Sequence, residues 1–185
     1  MSTLEANQTF TVHTQDSAPA ESKPLLEKSI TSFGSIPNLH GVLAESPVLL
    51  EAYQELHRLF SSSSFNKDEL TVVWQTINVE HECHYCVPAH AAIAKMMKVD
   101  DAITAALRNK TELPSKKLQV LHEMTLSLTK NRGNVSEKEL AEFYEVGYTQ
   151  RNVLDIILGL SQKVISNYTN HIAKTEVDEA FASFI

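Results

Sequence analysis

The sequence predicts an all-α domain built from antiparallel helical hairpins, and three observations predict it. Glycine and proline are scarce, 5 and 6 in 185 residues, too few for the tight turns of a fold with many strands. From Pro24 onward apolar residues recur at helical rather than alternating spacing. The helical stretches are short and set off by capping residues and by breaks such as Gly34, Pro37 and Gly147, the punctuation of helices that fold back on one another. A chain of this length supports one domain with a sizeable core.

Residues 1–23 are polar, rich in Ser and Thr and without helical period, and are expected to form a flexible N-terminal arm. Residues 24–185 are expected to form a single helical domain. Pro24 opens a helix over 25–33, Gly34 and Pro37 break it, and Pro47 opens a second over 48–60. Four serines, 61–64, make the next loop. Residues 70–78 are strongly apolar, with Val72, Val73, Trp74 and Ile77, and alone would fit a strand. The acidic lead-in Asp68-Glu69 and the helical text on either side favour a buried helix. Ala89, Ala91, Ala92 and Ala94 are small enough for helices to approach closely. A helix is expected over 100–108, and Pro114 precedes one over 115–130, whose apolar face is Leu118, Leu121, His122, Thr125, Leu126 and Leu128. Residues 131–134 turn; Ser136 and Glu139 then make a capping box, and Gly147 ends that helix. Thr149 starts the longest apolar segment, running from Val153 to Ile165, expected as a central or subunit-contacting helix. Residues 178–184 close the chain.

Composition narrows the function. A formal charge of −7 and a pI near 5.6 leave no basic stripe for phosphates, so no nucleic-acid partner is expected. No run approaches the roughly 18 apolar residues that span a bilayer. The N-terminal stretch lacks the basic start and apolar core of a signal peptide. The expected location is therefore cytoplasmic, where a lone close Cys pair is more often catalytic or metal-binding than a structural staple.

The chemistry concentrates in Glu80-His81-Glu82-Cys83-His84-Tyr85-Cys86-Val87-Pro88-Ala89-His90, which holds both cysteines. A thiol becomes nucleophilic by losing its proton, and a helix N-terminus and a nearby imidazole both favour that loss. At about 100 degrees per helical residue, Cys83, Cys86, His90 and Glu80 fall on one face. Cys86 and His90 stand at i and i+4, where side chains meet, and Cys83 and Cys86 at i and i+3 can close a disulfide. Pro88 is comfortable only near a helix start, so the helix is expected to begin between Cys83 and Tyr85, with Cys83 near the N-cap and Glu80 before it. The helix dipole then favours thiolate at both sulfurs. A Cys-x-x-Cys pair is also half of a zinc site, yet no second pair exists and only His81, His84, His90, His122 or His171 remain to complete it. No metal and no organic cofactor is expected. Trp74, Met96 and Met97 read as core, and His122 as a hydrogen-bonded core histidine.

Cys83-x-x-Cys86-x-x-x-His90, at the start of a helix that follows an apolar helix, resembles the hallmark of the alkylhydroperoxidase, or AhpD-like, branch of the carboxymuconolactone decarboxylase family. Pro37-Asn38-Leu39 and Ser46-Pro47 resemble that family's opening helices, and Asn167-Tyr168-Thr169-Asn170-His171 a closing signature of one subgroup. The resemblance implies an AhpD-like helical domain that assembles as a homo-oligomer, a trimer or hexamer, and reduces a hydroperoxide with its dithiol. It implies Cys86 as the attacking sulfur, Cys83 as the resolving one and His90 in the proton relay. The residues themselves leave the order open, since Cys86 has the i+4 imidazole while Cys83 sits exposed at the helix start. One departure stands out: the family's relay glutamate, twelve residues before the first cysteine, is here Thr71. Glu80 and Glu69 are the substitutes, and Glu80, three residues before Cys83, is taken for the relay. The expected function is an antioxidant thiol peroxidase needing an external dithiol reductant, thioredoxin-like or lipoyl-bearing. Its alternatives are a dithiol–disulfide oxidoreductase or redox sensor with weak peroxidase activity and, further off, a carboxymuconolactone-decarboxylase-type enzyme, a branch that does not rely on a Cys pair.

Overall fold

The computed structural model describes residues 10–185, and every regular element among them is helical. A 3-10 turn, Ala20–Ser22, leads into α1 (Lys23–Phe33), α2 (Asn38–Leu43), α3 (Pro47–Ser61), α4 (Lys67–Glu80), α5 (Cys86–Met96), α6 (Asp101–Asn109), α7 (Lys116–Lys130), α8 (Glu137–Glu145) and α9 (Gln150–Ala173); a second 3-10 stretch, Glu179–Phe184, ends the chain. Boundaries expected from proline, glycine and capping residues fall within a residue or two of these, and the closing segment is 3-10 rather than α.

The stretch that reads equally as strand or helix is settled by its start. Asn66 accepts from the amides of Asp68 and Glu69, and Glu69 returns a carboxylate to the Asn66 amide, satisfying donors that a helix N-terminus otherwise leaves free. The resulting α4 is buried on every side from Glu69 to Asn78, as a central helix must be, and it packs on α5, α6, α7 and α9. Around it lies the larger core, with Phe60, Trp74, Ile77, Leu121, Phe143 and Ile156 almost wholly enclosed. Each such side chain contributes on the order of 1.5–3 kcal/mol of apolar burial. A smaller core joins Leu25, Leu26, Leu39, Leu43, Leu50 and Tyr53 of the first three helices to Cys83, Tyr85, Cys86 and Ala89. The dithiol is thus seated in packed apolar surroundings.

Two expectations need correction. Of the stretch read as a flexible arm, residues 1–9 lie outside the described residues, but residues 10–22 pack on the helical body. The His13 amide donates to the Gly41 carbonyl at 3.0 Å, His13 pairs with Glu45 at 2.6 Å, and Ser22 donates to the Ala44 carbonyl at 2.6 Å. A Ser/Thr-rich composition signals only a lack of helical period; here its hydroxyls bond to the domain instead of to water. The second concerns α9, read as either a central or a subunit-contacting helix, of which the central reading alone would turn its apolar side chains inward. Its buried positions include Asn152, Gln162, Lys163, Ser166, Asn167 and Asn170, while Leu154, Ile157, Tyr168 and Ile172 are exposed. Gly159 lets α9 approach α3 closely: a Cβ there would stand 2.8 Å from the Phe60 ring.

Candidate active site

The dithiol is shaped by the turn between α4 and α5. Glu82 takes a left-handed conformation, φ 52°, and the chain turns so that the Cys83 amide donates to the Asn78 carbonyl at 3.0 Å. The Cys83 carbonyl accepts the Val87 amide at 3.1 Å, and its sulfur accepts the Cys86 amide at 3.2 Å. The Cys83 sulfur therefore satisfies the amide of the first helical residue from the turn that precedes it. Regular helix begins at Cys86, one residue beyond the expected range, which leaves Pro88 in the first turn, where its missing N–H costs little.

Both cysteines are free and buried, yet they face different surroundings. A pocket of about 1080 Å³ has Cys86 on its wall and Cys83 behind it. Its other walls include Leu39, Tyr53, Ala89 and Ile93, with His40, His57, His90 and Lys163. Burial pushes the Cys86 thiol up, but a hydrogen bond from Cys83, the charge of Lys163 and the amides of Asn170 and Asn167 outweigh it and hold the sulfur below the ordinary thiol value. The Asn170 amide nitrogen donates to this sulfur at 3.2 Å. Cys83 is pushed far up, first by its hydrogen bond to Cys86, then by burial and by the neighbouring negative sulfur. One proton is therefore kept on Cys83 and the thiolate resides on Cys86.

Lysine 163 is the positive partner. It is only 1% exposed, and its Nζ donates to His90 Nε2 at 2.8 Å. Burial draws its pKa below the ordinary value, and the negative sulfurs of Cys86 and Cys83 oppose that fall. The surrounding imidazoles carry no charge at neutral pH: burial brings His40 and His57 to about 4, and His90 lies well below its usual range. His57 stacks on Trp74 at 5.5 Å, and Trp74 holds the His90 ring from beneath at 4.9 Å. The Trp74 indole donates to Gln162 Oε1 at 2.7 Å, and the Gln162 amide reaches His57 at 3.2 Å, so these rings are fixed in place.

The sequence-derived site is thus brought together in part. Cys83, Cys86 and His90 converge, but His90 accepts from Lys163 rather than priming Cys86 directly. Glu80 belongs to α4, separated from α5 by the turn, so the single helical wheel does not apply to it; it pairs with Lys130 at 3.3 Å and is absent from the pocket wall. Glu69 serves the α4 cap, accepts from Tyr148 at 3.0 Å and pairs with Lys117 at 3.2 Å. Thr71 donates to the Lys67 carbonyl at 2.9 Å. His122, read as a core histidine, is only half-buried and bonds to Thr76 at 2.7 Å, and Met96, also read as core, is exposed at the pocket rim. His81 and His84 bind Asn167 and the Thr175 carbonyl at 2.8 and 2.9 Å.

Sequence reading missed Lys163, Asn167 and Asn170. The signal was present: a single lysine inside the longest apolar segment, at i, i+4 and i+7 with two asparagines of the closing signature. Amides continue the site inward, with Asn167 donating to Asn78 at 3.0 Å and Asn78 to Gln75 at 3.0 Å and to the Cys86 carbonyl at 3.3 Å.

No protein-family model and no curated protein sequence matches the chain, but solved structures do. A peroxidase-related protein from Ralstonia eutropha JMP134, an alkylhydroperoxidase AhpD core, superposes with a TM-score of 0.82 at 19% identity over 94% of this chain and 93% of that one. A peroxidase-related protein from Silicibacter sp. TM1040 gives 0.78 at 17% identity over 95% and 94%. The debrominase Bmp8, as a cysteine-to-alanine variant in complex with 2,3,4-tribromopyrrole, gives 0.79 at 13% identity over 97% and 96%. No helix among the described residues is long and apolar enough to cross a membrane. The architecture that seats the buried dithiol beside its pocket is the AhpD-like fold.

Proposed function

We propose that this protein is a cytoplasmic thiol peroxidase for organic hydroperoxides. The observation that carries the reading is that Cys86, alone of the pair, lines the pocket while its neighbours hold it as thiolate. The Cys86 sulfur attacks the terminal peroxide oxygen, the O–O bond breaks, and the sulfur becomes a sulfenic acid as the alcohol departs. Cys83 then displaces the hydroxyl group as water and closes the disulfide. A pocket of about 1080 Å³ accepts a bulky organic peroxide, at the upper end of the range typical of small-molecule sites.

The disulfide is returned to dithiol by an external dithiol. With both sulfurs buried, a slender lipoyl arm fits the depth of the site better than the flat face of a thioredoxin-like protein. The same burial disfavours a general dithiol–disulfide oxidoreductase, whose protein substrates must reach the sulfur. The exposed apolar side chains of α9 suit assembly as a homo-oligomer.

Free thiols counted before and after addition of cumene hydroperoxide test the reading. One equivalent should consume both thiols in wild type, Cys83→Ser should stop at a sulfenic acid trapped by a 1,3-diketone probe, and Cys86→Ser should consume none. Persistence of both thiols in wild type sinks the proposal. A second reading, reductive dehalogenation, is favoured by the aromatic and imidazole lining of the pocket and by the tribromopyrrole held by a protein of the same fold. Thiol-dependent bromide release from a bromopyrrole, without hydroperoxide consumption, would select it.

A further inference from the structure

Resting on the peroxidase reading, we propose that Lys163 is both the counter-ion of the Cys86 thiolate and the acid that protonates the departing oxygen. An O–O bond cleaved by a thiolate releases an alkoxide, a poor leaving group unless a proton meets it. Glu80 and Glu69 are engaged with Lys130 and with Lys117 and Tyr148, and neither lines the pocket. The imidazoles of His40, His57 and His90 do line it but are neutral at physiological pH. Lys163 is the buried cation on that wall.

Its surroundings make the proton available at the right moment. The groups that act on the ammonium are His90 and Cys86 of α5, His57 of α3, and Cys83 in the turn, with Tyr53 of α3 on the same pocket wall; of these, Cys86 carries the compensating charge. An ammonium enclosed in apolar protein is strongly disfavoured unless paired. Once the thiolate attacks, the sulfur becomes neutral and the pairing is lost. The ammonium then gives its proton to the developing alkoxide: the S–O bond forms, the O–O bond breaks, sulfur loses two electrons, and the products are Cys86 sulfenic acid, alcohol and neutral Lys163 amine. The sulfenic acid then condenses with the Cys83 thiol to disulfide and water, so the two hydrogens consumed come from the Cys83 thiol and the Lys163 ammonium. His90 accepts from Nζ and acts as the positioning residue, holding the ammonium at the pocket wall.

The test compares Lys163→Met and Lys163→Arg with wild type in two reactions of the same sulfur. Iodoacetamide expels iodide, which needs no proton, whereas a hydroperoxide expels an alkoxide, which does. Thiolate formation is followed by absorbance at 240 nm against pH. Lys163→Met should raise the thiolate midpoint by at least one pH unit. Lys163→Arg keeps the charge but cannot release its proton, so it should titrate near wild type, alkylate within a few-fold of it, and lose roughly a hundredfold or more in hydroperoxide reduction. Arginine that reduces hydroperoxide within about threefold of wild type overturns the donor role, and Lys163→Met that titrates like wild type overturns the counter-ion role. Wild type that alkylates as a thiolate yet consumes no hydroperoxide overturns the peroxidase reading and its donor step, while the 240 nm titration still decides the counter-ion role.

Discussion

Replacing Asn170 by Ala removes the amide that donates to the Cys86 sulfur at 3.2 Å, and the size of the effect follows from the charge it serves. A hydrogen bond to a charged group is worth about 1.5–3 kcal/mol, which at about 1.36 kcal/mol per unit is roughly one to two pKa units. The Cys86 midpoint, held below the ordinary thiol value in part by this amide, should therefore climb by roughly one to two units. The assay is the rate of iodoacetamide alkylation against pH in the Cys83→Ser background, compared with and without the Asn170 change. A thiolate of higher pKa is intrinsically more nucleophilic, with a Brønsted slope of about 0.4–0.5, so the alkaline plateau should rise roughly 2.5- to tenfold. The two profiles must cross: the variant is slower in acid and faster in alkali, which a general loss of structure cannot produce. Asn170→Asp sets a carboxylate against the sulfur and should move the midpoint further up. A variant whose midpoint stays within a few tenths of a pH unit of its parent refutes the assignment of the thiolate to this amide.

Other outcomes follow from the buried histidines and the packing. His40 and His57 are held at about 4 against an ordinary 6.5, so the unfolded chain binds more protons between those values. Stability is complete above pH 6.5 and falls as pH drops towards 4, by up to about 3 kcal/mol per histidine; a denaturant midpoint that is flat from pH 7 to 4.5 contradicts this. Gly159→Ala places a Cβ 2.8 Å from the Phe60 ring, which is enclosed and packs edge-on against Trp74 at 5.2 Å. The overpacking should cost about 1–3 kcal/mol and lower Tm by roughly 2–12 °C, and an unchanged Tm would show that the ring yields freely. Glu80→Gln removes only a partly exposed pair with Lys130, worth about 0–1 kcal/mol. Its Cys86 alkylation rate should match wild type within about twofold, and a larger loss would return Glu80 to the chemistry.

The fold was legible because its signals are local. Pro24, Pro47, the acidic Asp68-Glu69 lead-in, Pro114, Ser136 and Thr149 mark helix starts through φ preference, the helix dipole or side-chain caps, and those signals need no knowledge of distant residues. The Cys83, Cys86 and His90 cluster was legible for the same reason, lying within two turns of one segment. Lys163, Asn167 and Asn170 come from eighty residues further along, and only tertiary packing of α9 against α5 brings them to the sulfurs. Glu80 failed in the opposite sense: nearness in sequence suggested nearness in space, but the left-handed Glu82 ends the helical register between it and Cys83. The direction in which α9 faces was also hidden, because its pattern marks two faces without saying which of them meets the domain.

That orientation has a consequence for how the molecule balances durability against chemistry. By turning Asn152, Gln162, Lys163, Ser166, Asn167 and Asn170 inward, α9 fills with polar groups the space where leucines would grip hardest, and an enclosed ammonium is the least favourable occupant. Lys163→Met should therefore unfold at a higher denaturant concentration than the natural chain even as its sulfur loses acidity, the compromise common where selection acts on activity rather than robustness. The helix is tuned for what passes beside it.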